Sequence, residues 1–327
     1  MQTIYDLTLK QMEETLSGWQ IKPYRAKQIY AWLYRRRALS FEQMSDLPAD
    51  LIRRLNAEFS LAPLQVVDRQ VARDQTVKYL FALADGSTIE TVLMHFDFGE
   101  SVCVTSQVGC NMGCTFCASG LLKKQRDLSA GEMVSQILFV ENELSREDKR
   151  VGNVVVMGTG EPFDNYENVL DFCSIINSDL GLAIGARHIT ISTCGIVPMI
   201  DRFSAEHYQY NLAISLHAPN DGLRARLMPV DRAYPLDMLM ASLRRYSEEN
   251  NRRLTFEYIL LKGVNDGTQD AVQLADLIRG MNAYVNLIPY NQVDENGYHT
   301  ADAKAALHSY DVLMKHGVKA TLRTRHG

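Results

Sequence analysis

The hydrophobic rhythm of the chain changes twice. Residues 1–60 read as short helices broken by turns. Within them, KPYRAKQIYAWLYRRR (22–37) repeats Ala26, Ile29, Leu33 and also Trp32 at helical spacing, which predicts one buried stripe with a basic rim. SFEQMSDLP reads as a Ser40-led helix start and a Pro48 stop. Between 64 and 94 the pattern becomes extended. PLQVVDRQVA, TVKYLFALADG and STIETVLMHF alternate or run with β-branched and aromatic residues, and Asp85-Gly86 is a hairpin signal. From residue 101 onward short apolar strands alternate with helical stretches: SVCVTSQ, NVVVMG, HITIST, YNLAISLH, LTFEYIL, YVNLIPY and KATLRT. Ser129 to Glu132 forms a capping box at the head of one helix, and Leu236, Leu239, Leu243 and Tyr246 mark one face of another.

Apolar strands separated by crossover helices predict a parallel sheet buried on both faces, and six or so βα units predict a full or partial barrel. The expected organisation is α/β: a small helical domain at 1–60, a β-hairpin linker at 61–98, and a barrel at 99–327. Chemistry in such a barrel sits at the C-terminal ends of the strands. The unusual residues fall there. Cys110 to Cys117 follow the first strand, Met157-Gly158-Thr159-Gly160-Glu161-Pro162 the second, and Ser192-Thr193-Cys194-Gly195 ends the third. Ser215-Leu216-His217 ends the fourth and Pro289-Tyr290-Asn291 the sixth.

Composition narrows the class. Hydrophobic content of 46% and charged content of 22% are ordinary for a globular protein. No apolar run reaches the roughly 18 residues of a membrane span, and MQTIYDLTLK lacks the basic and apolar regions of a secretory signal. Six cysteines, three of them in one loop, are no disulfide framework and fit a reducing compartment, so cytoplasm is expected. A net charge of −5 argues against a chain coated in nucleic acid, yet Lys22, Arg25, Lys27, Arg35, Arg36 and Arg37 lie together without an acid. Taken alone, that segment reads as a solvated helix face.

GCNMGCTFCASG places Cys110, Cys114 and Cys117 in a C-x3-C-x2-C spacing with no fourth cysteine nearby. Thiolates are soft ligands that select zinc or iron–sulfur clusters, and structural zinc closes at four protein ligands. A zinc knuckle completed by histidine is the competing reading, although no histidine follows within twenty residues. A cubane held by three cysteines instead leaves one iron open to a small molecule. Gly160-Glu161 admits close backbone and offers a carboxylate to an ammonium group, or is only a tight turn. Ser192, Ser215 and Asn291 offer hydroxyl and amide partners, each unremarkable alone, and His217 is by itself an ordinary structural histidine.

The cysteine spacing, with Phe116 before the last thiol, resembles the signature of the radical S-adenosylmethionine superfamily. The ordered set CVTSQVGCNMGCTFCASG, MGTGEP, ISTCGIVP, AISLHAPND, LMPV, FEYILLKGVND, VNLIPYN and ATLRT resembles the RlmN family within it. The Cfr family, which methylates adenine C8, is similar but less close. The resemblance implies a partial (β/α)6 TIM-like radical S-adenosylmethionine barrel. It implies methylation of adenine C2 in 23S rRNA and tRNA, with a [4Fe-4S] cluster and S-adenosyl-L-methionine as cofactors. It also implies a one-electron reductant such as flavodoxin, no membrane partner and a monomer.

By resemblance, Cys110, Cys114 and Cys117 match the cluster ligands, and Gly160, Glu161, Ser192, Ser215, Leu216, His217 and Asn291 the S-adenosylmethionine contacts. Glu90 matches the proton acceptor and Cys103 the cysteine that resolves the RNA-bound intermediate. Cys173 and Cys194 read as structural. An RNA substrate turns the basic helix, Lys123-Lys124 with Arg126, and Arg323 with Arg325 into candidate phosphate contacts. The family's methyl-carrying cysteine follows an RTRG-like segment, whereas this sequence ends at Arg323-Thr324-Arg325-His326-Gly327. Either the chain is shortened at its C-terminus, which is the preferred expectation, or it is a natural variant that cannot transfer methyl by the family's route; as written it is expected to bind the cluster and cleave S-adenosylmethionine at most slowly, without methylating RNA. A zinc-stabilised RNA-binding protein is the non-enzyme alternative.

Overall fold

The computed structural model describes residues 2–61 and 64–323. The chain divides into two compact units, one of residues 1–108, 126–159 and 165–189, the other of 109–125, 160–164 and 190–327.

The first unit opens with helices α1 (Leu9–Gly18), α2 (Tyr24–Tyr30) and α3 (Ala49–Glu58). Thr8 and Gln11 form a reciprocal capping box at the head of α1. Helix α2 passes into a five-residue π turn, Ala31–Arg35, whose wider step rotates the buried face. Leu33 and Tyr34 are buried there, while Trp32 is only half-buried and donates its indole N–H to Asp46 Oδ1 at 2.6 Å. The expected stripe is therefore corrected at Trp32. Pro48 is also corrected: it begins α3 rather than ending a helix, because a first-turn residue needs no N–H.

Strands β1 (Gln65–Val71), β2 (Val77–Ala82), β3 (Thr88–Phe96) and β4 (Gly99–Cys103) pair antiparallel in sequence, and β4 pairs in parallel with β5 (Val151–Val156). The Asp85-Gly86 hairpin forms as read, with Gly86 at φ +85°. Helices α4 (Ala130–Leu144) and α5 (Tyr166–Asn177) pack together in this unit, and both bonds of the Ser129/Glu132 capping box are present. Gln136 of α4, fully buried, accepts from Thr91 Oγ1 at 2.7 Å and Thr105 N at 3.0 Å and donates to Thr105 O at 3.0 Å.

The second unit repeats strand and helix: β6 (Ile189–Thr193), α6 (Val197–Ala205), β7 (Asn211–Ser215), α7 (Asp221–Leu227), α8 (Leu236–Asn250), β8 (Leu254–Leu260), α9 (Thr268–Leu277), β9 (Ala283–Pro289), α10 (Ala303–Lys315) and β10 (Lys319–Leu322). Its strands pair in parallel, each with the next. Sequence patterning predicts strands apolar on both faces, and this sheet departs from it. Ile191, Ile214, Phe256, Tyr258, Val285 and Leu287 alternate onto one buried face. The register sets Ser192, Ser215, Glu257, Asn286 and Thr321 on the other. One face carries the core and the other carries polar groups.

Candidate functional site

The cysteine loop is shaped by glycines and by bonds to its own unit. Gly109 has φ +77°, and a Cβ there would lie 2.2 Å from Lys123 O; one on Gly120 would lie 2.7 Å from Cys114 O. Only glycine lets the loop fold back so closely. Cys110 N donates to Leu122 O at 2.8 Å, Cys117 N to Cys114 O at 3.2 Å and Gly120 N to Cys117 O at 3.1 Å. The three thiols are free and half-buried. Cys114 and Cys117 pack with Met112 against a cluster that includes Phe116, Leu227 and Met228. Burial drives the Cys114 thiol up to about 12, and the neighbouring Cys117 and Cys110 sulfurs push the same way. Burial likewise raises Cys110. Three thiols in one loop are soft donors of the kind iron–sulfur groups select. The donor set fits a thiolate-bound cluster.

The strand ends gather on the same unit. Gly160 has φ +113°, closed to other residues. Glu161 is 3% exposed; its Oε1 accepts from Phe163 N at 3.0 Å and its Oε2 from Cys194 N at 2.8 Å. Burial raises its carboxyl, and the bond from Cys194 N leads those that pull it down. Glu161 thus fastens the end of β6 within the unit that also holds the cysteine loop. Ser192 Oγ and Ser215 Oγ lie 3.4 Å apart.

Leu216 is wholly buried, its N–H donating to Glu257 O at 3.1 Å and its carbonyl accepting from Ala218 N at 2.8 Å. His217 adopts left-handed backbone, φ +57°, uncommon away from glycine and asparagine. Its Nδ1 accepts from Ile259 N at 3.1 Å, which leaves the proton on Nε2. Burial, aided by the Arg224 charge, lowers its pKa to about 3. His217 is therefore a neutral donor, and Phe116 meets its ring edge-to-face at 4.9 Å. Asn291 lies exposed just beyond β9.

Glu90 and Cys103 belong to the first unit. Register pairs Val92 with Cys103, so Glu90 is the diagonal neighbour of Cys103 on the same face of β3 and β4. Glu90 is exposed and stands 3.6 Å from Lys78 Nζ. Cys103 is half-buried, whereas Cys173 and Cys194 are buried.

Several residues of the second unit escape a motif search. Arg224, fully buried, pairs with Asp231 at 3.0 Å. Asn265 donates to His217 O at 2.8 Å and to Ile259 O at 2.7 Å and accepts from Leu261 N at 2.7 Å. Glu257 accepts from Asn286 Nδ2 at 2.8 Å, and its buried Oε2 has no partner among the described residues. The available signal was position: Arg224 follows Leu223 and precedes Leu227 on the helix's apolar stripe, and Glu257 interrupts an apolar strand.

The basic segment is largely engaged within its own unit. Arg25 donates to Asp46 O at 2.9 Å, Arg36 stacks 4.1 Å over Trp32, Arg35 bonds Asp179 O, and Arg37 meets Glu141 at 3.3 Å. Lys22 and Lys27 are exposed and have no partner among the described residues. Lys124 pairs with Asp164 at 2.7 Å, and Arg126 pairs with Glu132 at 2.8 Å and with Asp85. Arg323 is exposed, and Arg325 lies outside the described residues.

Comparison with known proteins gives one answer from several directions. Residues 104–275 match the model of the radical SAM superfamily, and residues 2–61 match that of the ribosomal RNA large subunit methyltransferase N-terminal domain. A protein of Enterococcus faecalis named probable dual-specificity RNA methyltransferase RlmN is 53% identical, over 100% of this chain and 93% of its own length. A protein of the same name from Streptococcus gordonii is 52% identical, over 99% of this chain and 91% of its own. The crystal structure of a radical SAM methyltransferase from Sphaerobacter thermophilus superposes with a TM-score of 0.95 at 42% identity, covering 100% of this chain and 96% of that one.

Proposed function

The chain belongs to the RlmN family of radical SAM RNA methyltransferases, and from that membership we propose that it methylates C2 of an adenine in 23S rRNA and in tRNA. The observation that carries this reading is the trio of free thiols in one glycine-shaped loop, in the same unit as the polar strand ends. Adenine C2 is electrophilic and offers no lone pair to a sulfonium methyl, so an ordinary nucleophilic transfer fails there. With a [4Fe-4S] cluster and S-adenosylmethionine bound, one-electron cleavage of the sulfonium supplies the radical chemistry this carbon requires.

The chain's own residues then bind, orient and move protons. Cys110, Cys114 and Cys117 would hold the cluster through their thiolates. Gly160 would let backbone approach the cofactor, and Glu161 would offer it a carboxylate while holding the end of β6. Ser192, Ser215, the backbone of Leu216, and Asn291 supply hydroxyl and amide partners. The neutral His217 offers its Nε2–H as a donor that stays uncharged across the physiological range. Glu90 takes the proton and Cys103 resolves the RNA-bound intermediate; their diagonal placement on one sheet face puts base and thiol within a short reach of each other. A one-electron donor such as flavodoxin, a cytoplasmic location and a monomeric state complete the reading. No helix among the described residues is long and apolar enough to cross a membrane.

Mass-spectrometric mapping of RNA treated with protein made from the full reading frame tests the assignment. We expect 2-methyladenosine; a methyl group on C8 instead would transfer the chain to the Cfr-like reaction.

A further inference from the structure

Helix α7 holds the second unit's strand ends and cysteine loop together through one buried cation. Arg224 is 0% exposed. Its Nη1 donates to Asp231 Oδ1 at 3.0 Å, its Nη2 to Cys194 O at 2.6 Å and its Nε to Leu216 O at 3.3 Å. Those two carbonyls end the strands that carry Ser192 and Ser215, just before His217. Three residues further along α7, Leu227 O accepts from Thr115 N at 2.9 Å, between the second and third cysteines. Cys194 is gripped from its other side, its N–H donating to Glu161 Oε2 at 2.8 Å. One helical turn therefore ties β6, β7 and the thiol loop to each other.

A guanidinium is suited to this and an ammonium is not, because its planar fork reaches three acceptors in fixed directions. Burying such a charge is costly unless every donor is used, and a single carboxylate balances it. Its charge also reaches His217, whose pKa burial lowers first and Arg224 lowers further.

We propose that Arg224 is a positioning residue that sets the spacing between the cofactor-binding strand ends and the cysteine loop. This rests on the cluster reading above.

Two variants test it: Arg224→Lys, and Arg224→Gln combined with Asp231→Asn so that no orphaned carboxylate stays behind. Each is reconstituted anaerobically and normalised to iron per chain. S-adenosylmethionine affinity is read by equilibrium dialysis, and the cluster's electron paramagnetic resonance signal is followed as the cofactor is added. Both variants keep the cofactor-free signal but bind S-adenosylmethionine about tenfold more weakly, the scale of losing one or two hydrogen bonds that hold the strand ends. Unchanged affinity in Arg224→Lys overturns the proposal; if the double variant does not fold, the Lys affinity alone decides. An unsubstituted chain that takes up no cluster defeats the proposed function itself and this inference with it.

Discussion

His217 shows how one side chain reports on its surroundings. The folded chain keeps its ring neutral down to about 3, whereas the unfolded ring takes a proton near 6.5. Between those values the unfolded state binds more protons, so stability rises with pH across that window. The contribution is complete above about 6.5 and is lost as pH falls toward 3. In urea titrations of cluster-free protein, His217→Gln should flatten this part of the pH dependence; an unaltered slope would place the titration elsewhere. Gly109 makes a second residue-scale case. A methyl group there meets Lys123 O at 2.2 Å in left-handed backbone, so Gly109→Ala should cost more than the ~1 kcal/mol of conformational strain alone. The check is iron retained per chain after reconstitution, which should fall sharply while the far-ultraviolet spectrum holds. At this scale the sequence was legible where spacing carries chemistry, as in the three cysteines, and silent where a contact is made across the fold. Nothing local marks Glu161 as an acceptor for Cys194 N, or Arg224 as a strap for two carbonyls, because both partners are distant along the chain.

At the scale of elements, the Ser129/Glu132 capping box was readable as a four-residue pattern, and both of its bonds are made. Ser129→Ala should destabilise the first unit by about 1 kcal/mol, measurable as a lower urea midpoint at unchanged slope. Gln136→Leu should cost roughly 1–3 kcal/mol for each buried group left unpaired, since Thr91 Oγ1 and both backbone groups of Thr105 lose the amide that bonds them. A Leu variant as stable as the parent would show that water takes over those bonds. Helix α2 teaches the opposite lesson. Its basic rim looked uniform, yet the π turn at Ala31–Arg35 redirects Trp32 and engages Arg35, Arg36 and Arg37 with their own unit. Hydrophobic periodicity assumes a regular step and cannot foresee the inserted one. Removal of Lys22 and Lys27 should therefore lower the salt slope of RNA binding by about one per residue, while alanine at Arg35 to Arg37 should act first on stability.

At the scale of the molecule, the alternation of strand and helix followed from apolar runs, because crossover connections leave that imprint on a sequence. The polar face of the second unit's sheet did not. Ser192, Ser215, Glu257 and Asn286 fall within strands that read as continuous apolar runs, and only the register shows that they line one side. That side, together with the cysteine loop, is where the account places cofactor chemistry. The most direct measurement is anaerobic reconstitution with iron and sulfide, followed by electron paramagnetic resonance of the reduced protein with and without S-adenosylmethionine. We expect about four irons per chain and a cubane signal that shifts when the cofactor is added, both lost in Cys114→Ala. A chain that assembles no cubane, or one whose signal is indifferent to S-adenosylmethionine, would contradict it.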